Sequence, residues 1–154
     1  MQQRFIELTS ALVEQIGIDC DIVPGENIVT LPLGDFAVRI CLMENLDAAV
    51  LQGAVAVVPE SDKNALCAEL LAMNSLFKGT KGAAFGLEGD IVTLQSFVLL
   101  EGITQEAFIA QAVCFLDALA QAIEGFEELL ERARSGVATP AQDVPDMMLN
   151  MLRI

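Results

Sequence analysis

The stretch Leu66–Gly102, LCAELLAMNSLFKGTKGAAFGLEGDIVTLQSFVLLEG, brings three elements of different period into one short span. Leu66, Leu70, Met73 and Phe77 recur at helical spacing, widened by Leu71 and Leu76, until Gly79 and Gly82 end the pattern. An apolar run from Ala83 to Leu87 follows, and Glu88-Gly89-Asp90 supplies turn chemistry. Ile91, Thr93, Gln95 and Phe97 then alternate with Val92, Leu94, Ser96 and Val98 as a second strand. The span reads as helix, hairpin and helix start.

Toward the N-terminus, Phe5, Leu8, Leu12 and Ile16 form an apolar stripe opposite Glu7, Ser10 and Glu14, so a first helix runs to about Gly17, which is placed to cap it. Pro24-Gly25 breaks the chain before the period changes. Ile28–Leu33 and Phe36–Leu42 flank Gly34-Asp35 as a hairpin. In its second strand Phe36, Val38, Ile40 and Leu42 share one face, and Pro32 puts the first strand at an edge or a bulge. Ala48–Val58 is a third strand ended by Pro59, and Ser61 or Asp62 is a candidate cap for the helix that begins the quoted stretch.

Toward the C-terminus, Thr104 opens the longest helix, in which Phe108, Ala112, Phe115, Leu119, Ile123, Phe126 and Leu130 keep a three-four spacing, with a bend expected at Gly125. From Ser135 to Pro145 the periodicity is lost. A Met-rich patch follows, with Met147, Met148, Leu149, Met151, Leu152 and Ile154. The expected organisation is one domain over 1–134, then a linker and apolar tail over 135–154.

With 154 residues the chain is long enough for a sizeable core. Its apolar mass is aliphatic: Trp, Tyr and His are all absent. A formal charge of −14 opposes binding to polyanions, so nucleic acid and anionic membranes are not expected partners. Cys20, Cys41, Cys67 and Cys114 are dispersed in apolar segments and read as reduced core residues. With no His and no Cys cluster, a zinc site has no ligand set, and no metal or cofactor is expected. The opening MQQRFIEL lacks signal-peptide features, and no run reaches the ~18 apolar residues of a membrane span, which points to the cytoplasm.

Catalytic constellations are equally sparse. Gly79-Thr80-Lys81-Gly82 has the composition of a phosphate loop but the wrong order, because a helix leads in and a strand leads out. Glu127, Glu128 and Glu131 read as a solvated helix face, and no His is present to serve a Ser or Cys nucleophile. An enzyme is not expected. The surplus of apolar residues points instead to protein partners, through an edge strand or a groove.

The order helix, three strands, helix, two strands, long helix resembles the class I type III secretion chaperones, the family related to the Tir chaperone. The local match is Met73-Asn74-Ser75-Leu76-Phe77, the turn Gly79–Gly82, the strand Ala83–Leu87, the turn Glu88-Gly89-Asp90, then Ile91-Val92-Thr93-Leu94-Gln95 and Leu100-Glu101-Gly102. It covers roughly residues 2–132, and the tail departs from the family's pattern. The resemblance implies an α+β fold of order α-β-β-β-α-β-β-α, with a twisted antiparallel sheet packed by helices, and a homodimer without enzymatic activity. It implies a chaperone that holds the N-terminal segment of a secreted effector in extended form, with the secretion-apparatus ATPase as a further partner. Effector contacts would fall on Phe5, Leu8, Leu12, Leu31, Leu33, Phe36 and Val38. The dimer interface would fall on Leu66, Leu70, Met73, Phe77, Leu94 and Ser96. Two alternatives stay open: a regulatory adaptor of the same fold that sequesters a transcription regulator or anti-activator, and a small-molecule enzyme or ligand-binding domain, for which no convergent polar residues are seen.

Overall fold

A computed structural model describes residues 1–77 and 80–136, without the Leu76 side chain. Gly79 of the GTKG turn and the linker and Met-rich patch over 137–154 lie outside the described residues. The elements run α1 (Gln2–Ile16), β1 (Ile28–Leu33), β2 (Phe36–Met43), β3 (Ala48–Val57), α2 (Lys63–Asn74), β4 (Ala84–Glu88), β5 (Ile91–Leu99), α3 (Gln105–Glu124) and α4 (Phe126–Ser135). The fold is α+β, as expected, and the sheet is five-stranded, antiparallel and ordered β1-β2-β3-β5-β4.

Local chemistry explains the boundaries. Gly17 is left-handed, with φ 69°, and its N–H closes the last turn of α1 onto Val13 and Glu14 carbonyls. Pro32 sits in β1, an edge strand, where a missing ladder donor costs least. The Thr104 hydroxyl accepts from the Ala107 N–H at 3.2 Å and caps α3. The long C-terminal helix is broken rather than bent: Gly125, at φ −86° and ψ 0°, separates α3 from α4. Asp62 stands at the N-terminus of α2 but makes no capping bond there, because its carboxylate is taken by Arg134 of α4.

One face of the sheet carries the core. Val29 and Leu31 of β1, Val38, Ile40 and Leu42 of β2, Ala49 and Leu51 of β3, and Leu94 and Val98 of β5 are buried there with Phe5, Leu8 and Leu12 of α1 and Phe108, Phe115 and Leu119 of α3. α3 packs on β3 and β5, α1 on α3, and α2 on β4 and α4. Gly53 lets α3 approach: a Cβ there would stand 2.3 Å from Leu119 Cδ2. Glu69–Arg132 (3.7 Å) and Asp62–Arg134 (2.7 Å) tie α2 and the turn before it to α4. By length and composition alone α3 is long and apolar enough to cross a membrane, contrary to the expectation that no run reaches that length. In this fold its apolar stripe faces the sheet.

The cysteines differ from expectation. All four are free thiols, but Cys20, Cys41 and Cys67 are half-buried and Cys114 is exposed, so none belongs to the sealed core. Burial pushes the Cys41 thiol up, and burial together with Asp21 and Asp19 raises that of Cys20, so both favour the protonated, unreactive form.

Candidate functional site

The second face of the sheet is the feature that sets this surface apart. Because side chains alternate along each strand, every residue between two core positions points to this face, and the register lines them up in rows across the strands. One row runs Ile28–Cys41–Val50–Phe97 over β1, β2, β3 and β5. A second, nearer the strand ends, runs Met43–Ala48–Leu99. Ile28 is 51% exposed, Phe97 53% and Leu99 60%, and exposed Leu46 adjoins them from the turn after β2. Contiguous large apolar residues left in water on a sheet face carry a free-energy cost that a partner surface can remove.

A polar belt bounds these rows. The next register row is Thr30–Arg39–Gln52–Gln95–Ala84. Arg39 Nη2 donates to Gln52 Oε1 at 2.6 Å, Gln52 donates onward to the Glu88 carboxylate, and Arg39 and Glu88 pair at 3.8 Å. The open face is thus half apolar and half a cross-strand hydrogen-bonded network whose members satisfy one another.

Two further apolar surfaces lie on the helices. On α2 and the 3-10 turn after it, Leu71 is 70% exposed and Phe77 53% exposed, with Met73 half-buried beside the core. Between α1 and α3, Ile109, Ala110, Val113 and Cys114 floor a shallow groove of about 760 Å³, with the Lys81–Asp117 ion pair at its rim. The Lys81 ammonium holds the Asp117 carboxyl below the usual carboxylate range. Among the described residues no group of three or more His, Cys, Asp or Glu is placed to hold a metal ion.

The residues singled out from sequence are distributed unevenly over these surfaces. Phe5, Leu8, Leu12, Leu31 and Val38 are buried in the core of the single chain, whereas Leu33 and Phe36, opposite each other at the tip of the β1–β2 hairpin, are half-buried at its rim. Leu66, Leu70 and Leu94 are likewise core, Met73 and Ser96 are intermediate, and Phe77 is exposed. Alternation within a strand identifies two faces but does not say which is covered. The rows with Cys41, Val50 and Phe97 were therefore missed, although the apolar residues at both parities of AAVLQGAVAV are the sequence signal of a strand that is apolar on both sides.

Solved structures share this fold at low sequence identity. The crystal structure of the ExsC–ExsE complex matches with a TM-score of 0.65 and 18% identity, over 80% of this chain and 94% of that one. The HopA1–SchA chaperone–effector complex matches at 0.61 and 12%, over 80% and 95%. YbjN from E. coli, described as a "putative transcription regulator", matches at 0.60 and 16%, over 80% and 92%. Complexes from type III secretion systems recur among further similar structures. Among curated proteins none matches by sequence. At these identities the likeness shows the fold alone. By sequence, residues 7–128 match the YbjN family, described as "putative bacterial sensory transduction regulator", and the chain belongs to that family.

Proposed function

We propose that this protein is a non-enzymatic cytoplasmic chaperone of the class I secretion type, which holds the N-terminal segment of a secreted effector in extended form. The observation that carries this reading is the uncovered half of the sheet, an edge strand and an apolar open face, in a fold shared with proteins solved in chaperone–effector complexes. An extended partner adds to β1 through backbone hydrogen bonds. Its apolar side chains then meet Ile28 and Leu33 of β1 and Phe36, which pairs with Leu33. Pro32 removes one edge donor and so discourages unspecific strand pairing. The charge of −14 favours basic segments of the partner. Exposed Leu71 and Phe77, with Met73, supply a seam for a homodimer, and the secretion ATPase is the further partner of such a complex.

A second reading, an adaptor that sequesters a transcription regulator, is favoured by the regulator description of the family. Both use the same surfaces. Titration calorimetry with N-terminal segments of secreted effectors from the same host distinguishes them: binding that is abolished by Ile28→Asp supports the chaperone. Binding of a regulator, with no effector segment bound, supports the adaptor. Binding of neither overturns both.

A further inference from the structure

The outer edge of β1 has no strand beside it, yet a segment of the same chain is drawn against it. Leu42 N donates to Asn27 O at 2.7 Å, so Asn27, Val29 and Leu31 are the residues bonded to β2, and the backbone groups of Ile28, Thr30 and Pro32 point outward. Among the described residues no backbone group bonds to this edge. One side chain does: the Cys20 thiol donates to Thr30 O at 3.2 Å.

Cys20 belongs to a segment with the side-chain pattern of a strand and none of its ladder bonds. In Ile18-Asp19-Cys20-Asp21-Ile22 the residues Ile18, Cys20 and Ile22 pack against the core, while Asp19 and Asp21 are exposed. Left-handed Gly17 and Gly25, at φ 69° and 97°, bracket the segment. The turn in which Glu26 N donates to Val23 O at 3.2 Å leads it back into β1. A thiol is a weak donor, and this one bond stands where a paired strand would use the N–H and C=O of both Ile28 and Thr30. The segment occupies the edge without satisfying it.

On the reading that an extended partner adds to β1, we propose that residues 18–22 are a displaceable strap holding the partner's place. The partner is an extended segment with apolar side chains at three alternate positions. These replace Ile18, Cys20 and Ile22 while its backbone pairs with Ile28 and Thr30. Without a partner, the strap keeps β1 from pairing with a second copy of the chain.

The test follows alkylation of Cys20 by iodoacetamide in the full-length protein, located by peptide mapping. The probe is the acetylated, amidated peptide GINANIV, which keeps the alternate apolar positions of the strap and lacks its charge and thiol. Saturating probe is expected to speed Cys20 alkylation, because displacement frees the thiol, and the permuted peptide GNNAIIV is expected to leave it unchanged. Ile22→Ser weakens the strap and should tighten probe binding about tenfold, since apparent affinity scales with the fraction of molecules whose edge is open. The alkylation readout needs no variant. Probe that does not bind, probe that binds while Cys20 alkylation is unchanged or slowed, or equal action of the permuted peptide overturns the strap. An effector segment that binds without altering Cys20 alkylation also overturns it and leaves the chaperone reading standing. Probe that speeds alkylation while no effector segment binds supports the strap and overturns the chaperone reading.

Discussion

The side chain of Asn74 and the backbone of Phe85 hold each other by a reciprocal pair of hydrogen bonds, Asn74 Nδ2 to Phe85 O at 2.9 Å and Phe85 N to Asn74 Oδ1 at 2.7 Å. The amide stands where the next strand would pair. It satisfies the outer edge of β4 and fastens the last turn of α2 to the sheet, so the Asn of the Met73–Phe77 phrase has a structural role.

Asn74→Ala leaves a partly buried N–H and C=O without partners, an unfolding cost of about 1–3 kcal/mol. Asn74→Asp keeps the acceptor for Phe85 N–H but sets a carboxylate oxygen against Phe85 O, and it is expected to be no better than Ala near neutral pH. Urea denaturation of the three proteins checks this. An Ala variant with an unshifted midpoint would show that the pair contributes nothing net.

Much of this fold is legible in the sequence because the periods are clear and the punctuation is strong. Gly17, Gly34-Asp35, Pro59 and Gly89 each fall at the element boundary that their chemistry implies. The site was less legible. Leu31 and Phe97 are both apolar strand residues, yet one is sealed under α1 and α3 and the other faces water, a difference set by which sheet face the helices cover. A strand's own sequence does not carry that information. The same holds for Leu70 and Leu71, adjacent on α2, where a rotation of about 100° per residue moves one side chain from core to solvent.

Close approach of α3 to β3 rests on Gly53. Adding a methyl group there forces it into Leu119, so Gly53→Ala is expected to lower stability by about 1–3 kcal/mol, the range of core overpacking. Leu119→Ala alone loses a buried Leu and costs about 2–5 kcal/mol. The double variant should cost less than the sum, because each change relieves the other. Strict additivity in a double-mutant cycle would show that the two sites do not press on each other.

Acid should loosen the link between α4 and the turn before α2. The hydrogen bond from Arg134 is the main reason that the Asp62 carboxyl lies below its ordinary range, with burial opposing and the guanidinium charge assisting. A carboxyl with a depressed folded pKa contributes stability that is complete above its unfolded value of about 4 and is lost as the pH falls through the lower folded value. Asp62→Asn should therefore be less stable than the parent at pH 7, and the gap should close as the pH approaches 3. Melting curves across that range test this. A gap that persists at pH 3 would assign the effect to packing rather than to charge.

Adjacent residues on α2 separate folding from assembly. Leu70 is buried, so Leu70→Ala opens a cavity and should cost about 2–5 kcal/mol of stability. Leu71 is exposed, so Leu71→Glu should change the stability of a single chain by no more than about 0.5 kcal/mol, while placing a charge at the centre of the proposed seam. Paired with Phe77→Glu, it should convert a dimer to a monomer of unchanged circular dichroism. Light scattering at matched concentrations measures the mass directly. A parent protein that is already monomeric would overturn the homodimer, whereas a double variant that remains dimeric would move the interface away from this helix and make the open sheet face the next surface to charge.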